Sequence, residues 1–208
     1  LISVNVLNTN DVVKNENIKN NTNFSFSIDK VRVPGSFDYS NLFWLKEKGT
    51  VGMYTVSDKS IRILPQEELQ YPIVFKLNIE GEIIEFVKNL VYKKNMPESG
   101  ETYMPFTILP EVTTQALNKV TIFNSNQPKE FKVKIKAHKD NVTGFVNLQT
   151  NDNWAISPKQ ISFNLNSKNE EQTVVFKITP SEKEITSTLN IIANINGTEI
   201  NKELVQID

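Results

Sequence analysis

Apolar and polar residues alternate along most of this chain. Such a period-two pattern is typical of β-strands that turn one face to a core and the other to solvent. It runs over residues 2–6, 24–33, 73–79, 131–137, 161–165, 174–178 and 189–195. No window of eleven or more residues has a convincing helical period of about 3.6 residues. The sequence therefore predicts an all-β fold of two tandem immunoglobulin-like antiparallel β-sandwich domains.

Two short segments predict tight turns, and a third predicts a bulge. Glu80-Gly81 separates the run at 73–79 from the next apolar run, and NINGTEI at 194–200 is typical of a hairpin turn. At Asp29-Lys30 the apolar positions change phase. Because one inserted residue reverses which side chains face the core, this change predicts a β-bulge within a strand over 24–33.

The domain boundary is predicted near FTILPEVTTQ, close to Glu111. Pro105 and Pro110 interrupt strand pairing there, and a new alternating pattern follows. The predicted domains are a β-sandwich accessory domain at 1–110 and an immunoglobulin-like β-sandwich domain at 111–208. The linker is short and contains proline, which favours a semi-rigid pair. No residue-level repeat between the two halves is evident.

Composition removes several classes of function without selecting one. The 208 residues carry a net charge of −1 and a pI near 6.0, which gives no electrostatic reason to expect a nucleic acid or an anionic membrane as partner. No segment approaches the ~20 apolar residues of a membrane helix, so no membrane insertion is expected. Cysteine is absent, which excludes disulfides and thiolate metal sites. The chain begins at Leu1 without a signal peptide, and we expect it to be a piece of a longer protein.

The single histidine, His138, poses the question of a metal site. A catalytic zinc usually needs three ligands from His, Asp, Glu or Cys. With one histidine, no cysteine and no tight carboxylate cluster, the sequence predicts no metal and no cofactor. His138 also continues the series Lys132, Lys134 and Lys136, so period two predicts that it lies on the solvent face.

Other catalytic patterns are missing from the sequence as well. There is no Gly-x-Ser-x-Gly elbow, and the seven glycines form no phosphate-binding loop. The acidic pairs Glu67-Glu68 and Glu170-Glu171 stand beside turn signals, where we expect solvated carboxylates rather than the opposed pair of a glycoside hydrolase. The chain is therefore predicted to have no enzymatic activity of its own.

The segment SNLFWLKEKGTVGMYTVSD, residues 40–58, is the least strand-like part of the chain. Its candidate functional residues are Phe43, Trp44, Met53 and Tyr54. Three interpretations are open: the aromatic residues belong to the core of the first domain, they dock onto another domain, or they contact a ligand such as a sugar ring. The core interpretation requires Trp44 and Tyr54 to be buried. In the second domain, Trp154 heads a predicted strand in NDNWAISP and is expected to cap that core.

Three segments carry a resemblance to a known family, and they are NLFWLKEKGTVGMYTVSD, VYKKNMPESGETYMPFTILPEVT and FKVKIKAHKDNVTGFVNLQTNDNWAISPKQISFNL. Together they resemble the region that follows the catalytic domain in large secreted bacterial PIG-L/LmbE-like deacetylases, and the resemblance covers the whole chain. Its most specific parts are the series Trp-Leu … Gly-Met-Tyr-Thr-Val and the segment Gly-Glu-x-Tyr-x-Pro-Phe. The second half, with NWAISP, is similar to the immunoglobulin-like domain associated with alpha-galactosidases.

The resemblance implies a secreted, periplasmic or cell-surface bacterial protein whose catalytic domain removes acetyl groups from N-acetylated sugars with zinc. The Ala-His-Pro-Asp-Asp motif of such catalytic domains is missing, since Lys139-Asp140-Asn141 follows His138. None of the family's catalytic residues can therefore be carried over. The chain is expected to be a non-catalytic accessory region that docks onto or positions the catalytic domain. The alternative is an independent carbohydrate-binding or cell-surface adhesion module with a glycan as partner.

Overall fold

The computed structural model describes residues 1–7, 12–28, 31–35, 37–64, 71–98, 100–150, 152–182 and 184–205. Their secondary structure is β throughout, apart from one short 3-10 helix at Phe43–Leu45, and all strand pairs are antiparallel. The predicted all-β, sandwich-type fold is therefore confirmed. Contacts divide the chain into two compact units, Leu1–Ile108 and Leu109–Asp208.

The first unit contains one larger sheet and a separate hairpin. Its strands are β1 (Ser3–Val6), β2 (Val12–Val13), β3 (Pro72–Ile79), β4 (Glu82–Asn89), β5 (Val91–Met96) and β6 (Gly100–Pro105). The four-stranded sheet has the order β2-β1-β3-β4, and β5 pairs with β6. Val4, Val6, Leu7 and Tyr71 form the buried centre of this unit, and half-buried apolar side chains surround them.

The second unit contains two four-stranded sheets. Its strands are β7 (Val112–Ala116), β8 (Lys129–Ala137), β9 (Val142–Thr150), β10 (Ala155–Ser157), β11 (Gln160–Leu165), β12 (Glu171–Thr179), β13 (Leu189–Ile195) and β14 (Thr198–Ile200). The sheet orders are β10-β12-β8-β7 and β11-β9-β13-β14. Both sheets contribute to one core of sixteen buried residues, among them Val133 and Phe176 from one sheet and Val146 and Ala193 from the other.

The strand predicted over 24–33 is absent from the described residues of that range. Residues 22–28 and 31–34 have no strand assignment, and the predicted bulge at Asp29-Lys30 lies outside the described residues. Phe26, Ile28 and Val33 nevertheless pack against the core of the first unit. Alternation reports which side chains face a core, and the described residues of this segment do so without belonging to a strand.

Both predicted hairpin turns are confirmed. Glu80 and Gly81 connect β3 to β4, and Asn196 and Gly197 connect β13 to β14. All four residues have positive φ, which is the requirement of the type I′ turn that matches the twist of two antiparallel strands.

Candidate functional site

Residues 41–64, which we name the aromatic excursion, leave the sheet of the first unit and fold back on themselves. After the 3-10 helix at Phe43–Leu45, the backbones of Thr50 and Met53 exchange hydrogen bonds of 3.0 and 3.3 Å around a tight turn. Gly52 in this turn has φ +80°, a value that side chains with a Cβ rarely adopt. Glycine is also needed at Gly49, because a Cβ there would lie 2.7 Å from the Met53 carbonyl oxygen.

A buried tyrosine joins the start of the excursion to the core. The Tyr71 hydroxyl lies 2.5 Å from the Ser40 hydroxyl, which also accepts a 2.6 Å hydrogen bond from the backbone of Ile108. The Tyr71 ring packs edge-on against Phe106, with ring centres 5.3 Å apart. The residue before the excursion is thus held by hydrogen bonds to two separate parts of the first unit.

Carboxylate hydrogen bonds fix the second half of the excursion. Glu47 accepts hydrogen bonds from the backbone and the hydroxyl of Ser57, at 2.8 and 2.7 Å. Asp58 accepts two from Ser60, at 2.8 and 2.6 Å, and the Nε of Arg62 donates to the Val56 carbonyl at 2.8 Å. The serine hydrogen bonds lower the pKa of both carboxyl groups, with a smaller contribution from Arg62. Their stabilising effect is therefore present at neutral pH and is lost as the pH falls through the lowered pKa values.

The excursion encloses a depression of about 610 Å³, which we name the aromatic depression. It is lined by Phe43, Trp44, Thr50, Met53, Tyr54, Thr55, Val56, Arg62 and Leu64. All four candidate residues from the sequence thus line a single concave surface. The Phe43 and Trp44 rings meet edge to face with centres 4.9 Å apart, a favourable arrangement for aromatic rings.

The candidate residues differ in their exposure to solvent. Phe43 is buried, with 6% of its surface exposed, and Trp44 is half-buried, whereas Met53 and Tyr54 are 71% and 67% exposed. Trp44 lies in the 3-10 helix and not in a strand, and neither Trp44 nor Tyr54 belongs to the core of the first unit. The exposure of Tyr54 does not meet the core interpretation, which required Trp44 and Tyr54 both to be buried. Phe43 is the buried member of the lining.

Exposed aliphatic residues that the sequence analysis did not single out also belong to the excursion. Val51 and Ile63 are almost entirely exposed, and Leu45 is exposed as well. The sequence signal for Val51 was its position beside Gly52, because glycine marks tight turns, which lie at the surface. Together with Met53 and Tyr54 they add exposed apolar side chains to a segment whose other exposed residues are mostly polar or charged.

The arrangement is suited to binding more than to acid–base chemistry. Glu47 and Asp58 are the carboxylates whose hydrogen bonds shape the excursion, and both are occupied by serines. Within the described ranges, no three His, Cys, Asp or Glu side chains come together as metal ligands would. Of the acidic pairs, Glu67-Glu68 lies outside the described residues. Glu171 bridges Lys134 and Lys136 at 3.3 and 3.2 Å.

His138 continues the alternation of β8: Ala137 is fully buried, and His138 is half-buried like Lys134 and Lys136, on the face of the strand that points away from the core. The outer face is partly covered there, since the His138 Nε2 lies 2.9 Å from the hydroxyl of the buried Thr113. Burial lowers the pKa of His138, and the charges of Lys136 and Lys168 lower it further.

Trp154 caps the second core, as predicted. It directly precedes β10, packs against the core cluster and meets Phe123 edge to face with ring centres 5.3 Å apart. It therefore serves packing in the second unit, and the aromatic depression remains the candidate site.

No helix in the described part of the chain is long and apolar enough to cross a membrane. A search of protein families finds no match for this sequence, and a search of curated proteins finds none either.

Proposed function

We propose that this chain is a non-catalytic accessory region that docks onto the catalytic domain of a larger secreted PIG-L/LmbE-like deacetylase of N-acetylated sugars. The observation that carries the docking role is the outer surface of the aromatic excursion. Met53 and Tyr54 are 71% and 67% exposed there, and Val51 and Ile63 of the same excursion are almost fully exposed. Clustered exposed apolar side chains are typical of protein interaction surfaces. The identity of the partner rests on the family resemblance of the sequence.

The residue types at the aromatic depression support the same role. Trp, Tyr and Met are enriched at the centres of protein interfaces, and a concave surface with aromatic walls can accept an apolar side chain from the partner. The hydrogen bonds of Glu47 and Asp58 fix the excursion before binding. Less conformational entropy is then lost on docking.

A glycan-binding role is the second candidate, and the lining of the depression favours it. Sugar sites combine an aromatic face with polar groups, and Trp44 shares the depression with Thr50, Thr55 and Arg62. Val51 and Ile63, however, offer no hydrogen bond to sugar hydroxyl groups. Docking onto protein therefore accounts for more of the exposed surface.

Calorimetric titration with the purified catalytic domain of the parent protein tests the proposal. The Met53→Ala and Tyr54→Ala variants are expected to weaken binding by about tenfold or more each, as hot-spot truncations do. The matched controls are Met104→Ala and Tyr92→Ala, which remove side chains of the same types, 50% and 59% exposed, from β6 and β5. They are expected to bind like the unaltered chain.

Three other outcomes would argue against docking through the excursion. Equal losses in the site and control variants would show that the contact lies elsewhere or is unspecific. Absence of binding at millimolar concentrations would exclude docking. Binding of an N-acetylated oligosaccharide by the chain alone, lost in Trp44→Ala, would replace docking by the glycan-binding role.

A further inference from the structure

Strand β4 (Glu82–Asn89) lies at an edge of the four-stranded sheet, and all eight of its residues are exposed. Half of them are large apolar residues, namely Ile83, Ile84, Phe86 and Val87, with 39 to 66% of their surfaces exposed. Successive side chains of a strand point to opposite faces, so β4 exposes apolar residues on both faces of the sheet. An ordinary edge strand of a sandwich has one of its two faces buried against the core.

The outer edge of β4 also presents main-chain hydrogen-bonding groups. In a hairpin with a two-residue loop, the two residues that flank the loop form a hydrogen-bonded pair. These residues are Ile79 and Glu82 here, and non-hydrogen-bonded and hydrogen-bonded pairs alternate from there along the two strands. The backbone groups of Ile83, Glu85 and Val87 therefore point away from β3. Among the described residues, none of the backbone hydrogen bonds outside the strand pairs involves these three.

Two of the usual protections of an edge strand, a bulge and a proline, are missing from β4, although Glu82, Glu85 and Lys88 place charges along it. Its pairing with β3 is continuous from Pro72–Asn89 to Ile79–Glu82, so no bulge bends it, and it contains no proline. A long, straight and apolar edge of this kind is a template for another strand. The sequence of side chains along β4 indicates which strand would pair with it.

The β4 sequence is complementary to itself when two copies run antiparallel. Two identical edge strands that pair antiparallel are related by a two-fold axis perpendicular to the sheet, because side chains opposite one another in such a pair lie on the same face. The axis lies midway between one residue and the same residue of the second copy. With the axis at Glu85, Ile84 lies opposite Phe86 of the second copy, Ile83 opposite Val87, and Glu82 opposite Lys88.

The other positions of the axis give poor matches. An axis at Phe86 would place Ile84 opposite Lys88 and Glu85 opposite Val87. An axis at Ile84 would place Glu82 opposite Phe86 and Ile83 opposite Glu85. The register with the axis at Glu85 has one unfavourable contact, which is Glu85 opposite Glu85 of the second copy. The Lys76 Nζ on β3 lies 3.4 Å from the Glu85 carboxylate and offsets its charge.

We propose that β4 is a self-association edge, and that two copies of this chain pair antiparallel along Glu82–Lys88 about Glu85. The pairing joins two four-stranded sheets into one continuous sheet of about eight strands. It gives main-chain partners to Ile83, Glu85 and Val87 and covers part of the apolar surface on both faces. The proposal is independent of the docking role of the aromatic excursion, which uses other residues.

Sedimentation velocity of the full chain over a range of concentrations tests the proposal by charge reversal. Glu82→Lys alone and Lys88→Glu alone each replace the two Glu82–Lys88 pairs of the dimer by two pairs of like charge. Each is expected to weaken dimerisation by about tenfold at low salt, since both exposed pairs change from attractive to repulsive. The double variant Glu82→Lys/Lys88→Glu restores both attractive pairs and is expected to dimerise like the unaltered chain. A mixture of the two single variants is expected to form heterodimers.

A proline variant tests the main-chain pairing. Val87→Pro removes an outward N–H without removing a hydrogen bond to β3, and it is expected to yield monomers with an unchanged circular dichroism spectrum. Glu199→Lys, an exposed charge reversal on β14, is the control and is expected to leave dimerisation unchanged. If the unaltered chain is monomeric at every concentration, the proposal is overturned, and β4 would then be available to pair with a strand of a different protein. Dimerisation that is unchanged by the charge reversals and by Val87→Pro also overturns the proposal, because the dimer then forms through another surface.

Discussion

At the scale of single residues, His138 shows how a local environment changes the chemistry that a sequence suggests. Its ring is half-buried against Thr113, and the charged neighbours Lys136 and Lys168 are both cations. Burial and positive charge both disfavour the protonated ring, which is why the pKa is lowered. The environment thus favours a neutral histidine with a structural hydrogen bond.

The lowered pKa predicts a pH dependence of stability. The unfolded chain takes up the proton near pH 6.5, about the ordinary pKa of histidine, whereas the folded chain does so at lower pH. Between the two values the unfolded state binds more protons, so the second unit loses stability as the pH falls through that window. NMR titration of the single histidine measures the folded pKa directly. Lys168→Gln is expected to raise it slightly, and a pKa above the ordinary value in either protein would contradict the assigned environment.

Gly144 on β9 is a second residue whose role depends on its neighbours. A Cβ at this position would clash with the carbonyl oxygen of Asn194 on β13 and would meet the Phe163 ring at 3.0 Å. Gly144→Ala is therefore expected to lower the free energy of unfolding by about 1–3 kcal/mol, as overpacking of a core does. Gly35→Ala is the control, since a Cβ there meets nothing within 4 Å. Urea titration measures how far each variant shifts the unfolding transition of its own unit relative to the unaltered chain, and equal shifts would refute the difference.

At the scale of elements, the two confirmed hairpins share one local device. Asn78 and Asn194 each precede the turn and accept a hydrogen bond from the backbone of the glycine three residues later, at 2.9 and 3.0 Å. The sequences Asn-Ile-Glu-Gly and Asn-Ile-Asn-Gly are therefore a short repeat in the two units, which the sequence analysis missed. The repeat follows from turn chemistry, because an asparagine side chain readily bonds the backbone of a turn.

The hairpin of β13 and β14 gives a prediction about turn conformation. Gly197 has φ +85°, so Gly197→Ala is expected to cost about 1–2 kcal/mol of unfolding free energy. Gly197→Asn is the matched variant and should cost less, because asparagine tolerates positive φ better than alanine. Thermal unfolding of the two variants tests the order, and a more stable alanine variant would be inconsistent with the turn.

At the scale of the whole molecule, the two units differ in how much apolar surface they bury. The described core of the second unit contains sixteen buried residues, and that of the first contains four. Each buried large apolar side chain contributes roughly 1.5–3 kcal/mol before the loss of chain entropy is subtracted. The first unit is therefore expected to be the less stable of the two.

This difference predicts two unfolding transitions in denaturant. Tryptophan fluorescence distinguishes the two transitions, because Trp44 lies in the first unit and Trp154 in the second. In Trp154→Phe, fluorescence of Trp44 should change at the lower denaturant concentration, and in Trp44→Phe, fluorescence of Trp154 should change at the higher one. Phe176→Ala, which truncates a fully buried side chain, should shift the second transition by about 3–5 kcal/mol and leave the first in place. Coincident transitions that shift together would show that the units unfold as one.

The sequence by itself determined the fold class and most strands of the second unit. Period two is a local property, and it marks a strand wherever alternate side chains face a core, as over residues 131–137 and 174–178. It did not distinguish the unpaired segment at 24–28 from a strand, because pairing depends on residues far away in the chain. β9 was also missed, since Gly144 stands where its apolar series needs a side chain.

Only the tertiary structure decided the positions of the candidate residues. The sequence grouped Phe43, Trp44, Met53 and Tyr54, but their shared depression depends on a tight turn and on the Glu47–Ser57 hydrogen bonds across ten residues. The open edge of β4 was likewise invisible in sequence, where its apolar residues read as core. Burial is set by what lies against a strand, and that is a property of the folded chain rather than of the strand itself.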